Sequence, residues 1–237
     1  MKNRKLFGFD VYTGDSKELI SYIKNCKGKV HIISGNAEVL KYPLKSDVKM
    51  RQFLDSKNII IPDGVSVSIP LKRKYKEDIK RLTGIDLMKE ILKESEKEGK
   101  TVYFLGSKET VLKDMILNIS NAYPKLVIKG SHHGYIDTNK CEQLIDELKN
   151  ANPDVLFVAM GTPIQEDFIF KYIDILPCKV YMGVGGSFDV ISGKVKRCPK
   201  WISSLGIEWL YRMFKDPKKI KRLWNNIFFT LKGLVKG

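Results

Sequence analysis

Pro153-Asp154-Val155-Leu156-Phe157-Val158-Ala159-Met160-Gly161-Thr162-Pro163-Ile164-Gln165-Glu166-Asp167 is the stretch that decides how this chain folds. From Val155 to Met160 every residue is apolar and nothing alternates. That is the pattern of a strand covered on both faces, as in a parallel sheet. Gly161 follows at once. Thr162 then stands as a cap, with Pro163 in a first helical turn, where a missing N–H is tolerated. Strand, glycine turn and helix start in succession aim free backbone N–H groups, and the positive end of a helix dipole, beyond the strand's carboxyl end. An anionic ligand suits that place, although an ordinary strand–helix connection fits the same residues. Gln165 and Glu166 add hydrogen-bonding side chains to the same turn.

Working outward, strand-like runs recur at Lys29–Ser34, Asn58–Ile61, Thr101–Leu105, Leu126–Ile128 and Lys179–Met182. Helix-like patterns lie between them at Ser16–Lys24, Asn36–Leu54, Ile85–Lys97, Lys108–Ser120, Thr138–Asn150 and Ile164–Ile173. The alternation predicts an α/β fold, a Rossmann-like and largely parallel sheet flanked by helices. Right-handed crossovers gather the strand-to-helix loops on one edge. There the runs end in Ser34-Gly35-Asn36, Asp63-Gly64, Gly106-Ser107, Gly130 to Tyr135, Gly161-Thr162-Pro163 and Gly183-Val184-Gly185-Gly186-Ser187-Phe188-Asp189. Glycine and small polar groups at every strand end describe a ligand crevice, and a sugar nucleotide diphosphate is a ligand of the right chemistry.

The 237 residues suffice for one cored domain with an appendage. The formal charge of +15 is unevenly placed. Residues 194–237 hold twelve of the 42 Lys and Arg but only two of the 27 acids, Glu208 and Asp216. A nearly balanced body, residues 1–193, thus precedes a cationic segment, 194–237, suited to an anionic surface. Cys26, Cys141, Cys178 and Cys198 are widely spaced and point to a reducing cytoplasm, with neither a disulfide framework nor a zinc site expected. The amino terminus lacks the apolar core of a signal peptide, and no run approaches the roughly 18–20 apolar residues of a membrane span.

Asp63 follows the apolar run Asn58 to Pro62, so its carboxylate is expected at the mouth of the sheet. It could take a proton from a hydroxyl there, or merely shape an Asp-Gly turn. Arg81 precedes a helix start capped by Thr83 or Asp86, and its fork suits a diphosphate, though surface charge explains it equally. His132-His133 has no acid or Cys at ligand spacing, so no metal is expected. Gly183 to Asp189 departs from the G-x-G-x-x-G fingerprint at Phe188. A nicotinamide-dependent oxidoreductase is therefore the weaker alternative, although the turn could cradle a phosphate, with Asp189 on a ribose or base. In the last twenty residues Ile220, Leu223, Trp224, Ile227, Phe228, Leu231, Leu234 and Val235 fall at helical spacing, with Lys and Arg on other faces. This predicts a helix lying in a membrane interface; docking on the chain's own core or a partner subunit is the competing expectation. A nucleic-acid binder using the basic segment leaves the apolar stripe without a purpose.

Taken in order, Asn36-Ala37-Glu38, Asp63-Gly64, Arg81 to Leu87, Phe104-Leu105-Gly106, His133-Gly134-Tyr135, Gly161 to Glu166, Gly183 to Asp189, Lys196 to Pro199 and Glu208 to Arg212 resemble the WecG/TagA/CpsF family of bacterial glycosyltransferases, from about Phe7 to Arg222. The resemblance implies a cofactor-free, metal-independent, inverting transfer from a UDP-sugar to the sugar of an undecaprenyl-diphosphate-linked acceptor, as in wall teichoic acid synthesis. It places the catalytic base at Asp63. The active-site positions it implies are Ser34, where Thr is usual, Asn36, Arg81 and Gln165, with Asp189 in the nucleotide region; the strand-end reading adds Thr83, Gly161, Gly183 and Gly185 as substrate-binding positions. The resemblance places Arg212, Lys219 and Arg222 in an appendage that meets the lipid diphosphate at the cytoplasmic face of the membrane, to which the apolar stripe adds Trp224, and it leaves self-association of the chain open. Ser68-Ile69-Pro70 replaces a bulkier version of this segment and Cys198 an Ala, so the donated sugar stays open among N-acetylmannosamine, its uronic acid, glucose and other hexoses.

Overall fold

The computed structural model describes residues 1–196 and the helix 220–236, the latter with side chains over 227–235. One sheet runs in the order β1 (Asn3–Leu6), β2 (Phe9–Tyr12), β4 (Asn58–Ile61), β3 (Val30–Ser34), β8 (Val180–Gly183), β7 (Val155–Ala159), β5 (Thr101–Gly106), β6 (Val127–His132). All neighbours are parallel except the β1–β2 hairpin.

The apolar runs fail to alternate because both faces are covered. Val155 and Phe157 of β7 enter one core with Phe104, Ile32, Ile61 and Met182. That core is closed by α1 (Ser16–Asn25), α5 (Gly84–Glu98), α6 (Glu109–Ala122) and α9 (Ser187–Ile191). Leu156 and Val158 point the other way, against α7 (Glu142–Ala151) and α8 (Ile164–Tyr172). On that second face Ile33 and Ile60 pack with α2 (Ala37–Lys41), α3 (Asp47–Phe53), α4 (Val65–Tyr75) and Phe229 of the C-terminal helix α10 (Ile220–Lys236).

One expected helix is broken, and the elements at the amino terminus and after Gly64 lie outside the expected set. The amino terminus forms β1 and β2, joined at Phe7 and Gly8, both at positive φ, on strands of four residues each, too short to show a period. The helix expected over Asn36–Leu54 is broken by Pro43, which starts a 3₁₀ turn, Pro43–Lys45, between α2 and α3. Val65 to Pro70 alternates like a strand, yet it is helical: Ser66, Val67, Ser68, Pro70 and Leu71 are all buried, so packing overrides the local pattern.

His31 of β3 is fully buried, its Nδ1 3.0 Å from Asn58 Oδ1, and its Nε2 has no partner among the described residues. Burial pushes its pKa down from 6.5 to about 3. Between those values the unfolded chain binds a proton that the folded one refuses. The stabilisation is therefore complete above pH 6.5 and is lost as pH falls toward 3. Urea titrations across this window are expected to show a decline of about 5 kcal/mol at full effect, flattened in His31→Leu. An equal acid decline in that variant would assign it to other groups.

Candidate functional site

The loops at the carboxyl ends of β3, β4, β7 and β8 meet in one place. Gly35 N–H donates to Ile61 O at 2.8 Å and Gly64 N–H to Gly35 O at 3.0 Å, tying the β3 and β4 loops together. Asp63 is half-buried between them, and its Oδ1 accepts the Gly84 N–H at 3.0 Å from the start of α5. Gly84 lies against Ser34: a methyl group there would come within 2.5 Å of Ser34 Oγ. Ser34 Oγ in turn donates to Gly183 O at 3.3 Å, at the end of β8. The contacts thus run unbroken from Asp63 through Gly84 and Ser34 to the β8 turn.

From Gly183 they pass to α8. Gln165 and Glu166 in its first turn are 3% and 1% exposed. Gln165 Oε1 accepts two backbone N–H groups, from Gly161 at 3.2 Å and Gly185 at 3.1 Å. Its Nε2 donates to Glu166 Oε1 at 2.7 Å, and Thr162 Oγ1 donates to the same oxygen at 3.4 Å. Gly183 admits this packing only because it lacks a side chain, since a Cβ would sit 2.7 Å from Gln165 Nε2. The expectation of free N–H groups on these turns is therefore corrected at Gly161 and Gly185, where Gln165 holds them. Pro163, not Thr162, occupies the N-cap of α8, and no side chain caps that end. Gln165 itself is a buried clasp.

Other expected positions have structural duties as well. Asn36 caps α2, its Oδ1 accepting from Glu38 N at 3.0 Å and Val39 N at 3.2 Å, while its Nδ2 donates to Ser34 O at 3.2 Å. Thr83 caps α5, accepting from Asp86 N at 3.3 Å and donating to Asp86 Oδ2 at 2.5 Å. Arg81 is partly buried beside them, next to Leu82, whose N–H donates to Pro62 O at 3.2 Å. Asp189 is partly buried in α9, which follows the Gly183–Gly186 turn. Arg212 and Lys219 lie outside the described residues, and Arg222 and Trp224 belong to α10, where side chains are described only from Ile227 on. Glu166 was absent from the expected site, although the sequence carried a signal. It lies three and seven residues before Ile169 and Ile173, both buried, and so on an inward stripe where an acid is unusual. Burial holds its pKa above the ordinary carboxylate value, opposed by its hydrogen bonds from Gln165 and Thr162.

A twice-covered parallel sheet thus gathers a carboxylate, a hydroxyl and clasped glycine turns at its carboxyl edge, the edge where open α/β sheets bind ligands. Residues 4–236 match the glycosyl transferase WecG/TagA/CpsF family. The chain belongs to that family of glycosyltransferases. It is 38% identical over 179 residues to an N-acetylglucosaminyldiphosphoundecaprenol N-acetyl-beta-D-mannosaminyltransferase of Bacillus subtilis (strain 168), covering 74% of this chain and 69% of the relative. A relative with the same name from Bacillus spizizenii (strain ATCC 23059 / NRRL B-14472 / W23) is 32% identical over 203 residues, covering 86% and 77%.

Proposed function

We propose that this glycosyltransferase moves N-acetylmannosamine, or a related hexose, from a UDP-sugar to the sugar of an undecaprenyl-diphosphate-linked acceptor, in wall teichoic acid or another cell-surface polysaccharide. The observation that carries this reading is the run of contacts from the Asp63 carboxylate to the clasped turns of β7 and β8. The names of the two relatives support the acceptor and the sugar. Asp63 takes the proton of the acceptor hydroxyl as its oxygen attacks the anomeric carbon; the bond to UDP breaks on the opposite face, and UDP departs with the electron pair. Ser34, Asn36, Arg81, Thr83 and Asp189 line the donor side, and the turns at Gly161, Gly183 and Gly185, held by Gln165, face the diphosphate. No metal takes part.

Residues 194–237 act as an appendage that brings the crevice to the cytoplasmic face of the membrane, with Arg212, Lys219, Arg222 and Trp224 toward the lipid diphosphate. Among the described residues no helix is long and apolar enough to cross a membrane. On α10, Ile227, Phe228, Leu231 and Val235 are exposed, a peripheral seat of the kind a bilayer surface covers. The test is a panel of UDP-sugars offered with a short-chain lipid-diphosphate N-acetylglucosamine acceptor, read by mass spectrometry with and without EDTA. UDP release that needs both substrates and survives EDTA is expected. UDP release without acceptor glycosylation, or turnover abolished by the chelator, would overturn the corresponding part.

A further inference from the structure

We infer that Glu166 is a positioning residue, fixing the Gln165 amide so that one carbonyl oxygen draws the turns after β7 and β8 into a single cradle. The donor diphosphate as occupant of that cradle rests on the function proposed above; the clasp itself does not.

Gln165 faces a choice that its own chemistry leaves unresolved. Its amide has a donor end and an acceptor end of nearly the same shape, and only one orientation offers an oxygen to Gly161 and Gly185. The opposite orientation would set an NH₂ group against two backbone N–H donors. Glu166 Oε1, 2.7 Å from Gln165 Nε2, selects the productive orientation by presenting an acceptor to the donor end. Thr162 Oγ1, 3.4 Å away, gives the same oxygen a second donor, so Oε1 has the pair of partners a carbonyl oxygen accommodates.

The remaining oxygen, Oε2, is buried without a hydrogen-bond partner among the described residues. A carboxylate ion with no cation beside it among the described residues, and 1% exposed, would be a costly burial. A neutral acid, its proton on Oε2 and its carbonyl at Oε1, matches the donors seen around it, and the upward shift in pKa runs the same way. Gly183 completes the device, because any side chain there would strike Gln165 and break the clasp. Glu166 touches no reacting atom in this scheme; it acts through Gln165.

Glu166→Gln keeps an acceptor oxygen for Gln165 and Thr162 and puts an NH₂ group where the acid hydroxyl lies. Glu166→Leu keeps the approximate volume but leaves Gln165 Nε2 unpaired. Two readouts follow. Amide hydrogen exchange at Gly161 and Gly185, measured by NMR on the full chain, is expected to speed up roughly 10-fold or more in Glu166→Leu and to stay near the parent in Glu166→Gln. In the transfer assay Glu166→Leu is expected to raise the KM for the UDP-sugar roughly 10-fold, with kcat less affected, and Glu166→Gln to restore it. Unchanged exchange at both glycines in a folded Glu166→Leu protein would overturn the clasp. Inactivity of a stable Glu166→Gln protein with normal exchange would overturn the positioning role, showing that the acid itself is required. If the parent protein binds no UDP while the exchange pattern behaves as expected, the donor assignment fails and the clasp stands.

Discussion

Asp63→Asn is expected to lower glycosyl transfer by about 10²–10⁴-fold while leaving UDP affinity within a few-fold of the parent. The substitution is chosen for what it preserves. Asp63 Oδ1 accepts the Gly84 N–H at 3.0 Å, and an Asn oxygen can do the same, so the junction of the β4 loop with α5 is kept. The negative charge and the capacity to accept a proton are removed. The contacts that reach the donor side run through Gly84, Ser34 and Gly183, none of which depends on the charge. Loss of turnover with retained UDP binding, followed by coupled UDP release and by calorimetry, would separate base catalysis from donor binding. A variant that turns over like the parent would remove Asp63 as the base. A variant that loses UDP binding as well would reassign the residue to the donor pocket.

The sheet was legible because its central strands are buried on both faces. Val155 to Met160 and Asn58 to Ile61 announce themselves by composition alone, and the observed strands start at the same residues. Elements at the margin were not legible, for identifiable reasons. β1 has one fully buried residue, Leu6, and no period can be read from one residue. α4 carries Val65, Val67 and Ile69 alternating with Ser and then Pro70, a strand-like string that is helical, with Ser66, Val67, Ser68 and Pro70 buried and Ile69 left exposed. At the crevice, glycine and carboxylate could be placed from strand ends, since any parallel sheet gathers those ends. What each polar side chain does with its atoms could not. Asn36 and Gln165 are both amides in strand-to-helix connections; one caps a helix, and the other clasps two turns. The cap is local, but the clasp depends on β7 and β8 lying side by side, which no local pattern records.

Phe228→Ser combined with Leu231→Ser is expected to weaken binding to anionic vesicles roughly 10²-fold without unfolding the protein. The stripe read from the sequence placed Ile227, Phe228, Leu231 and Val235 together, and the structure leaves all four exposed, Phe228 at 66% and Val235 at 81%. Phe229, on the other side of the helix, is buried against Phe7 with ring centroids 4.8 Å apart, and Gly233 lies flush on Pro70. α10 therefore has two apolar faces, one spent on α4 and the amino-terminal hairpin and one turned outward, so core docking and membrane seating do not compete for the same residues. Phe229→Ala supplies the control. It should cost about 3 kcal/mol of stability by opening a cavity, with little effect on vesicle affinity measured well below its melting temperature. Cosedimentation with vesicles and sedimentation velocity in buffer distinguish the outcomes. Lost vesicle binding in the double variant with an unchanged monomeric mass assigns the outward face to lipid. Retained vesicle binding with a parent oligomer falling to monomer assigns it instead to a second copy of the chain, and the membrane seat must then lie elsewhere.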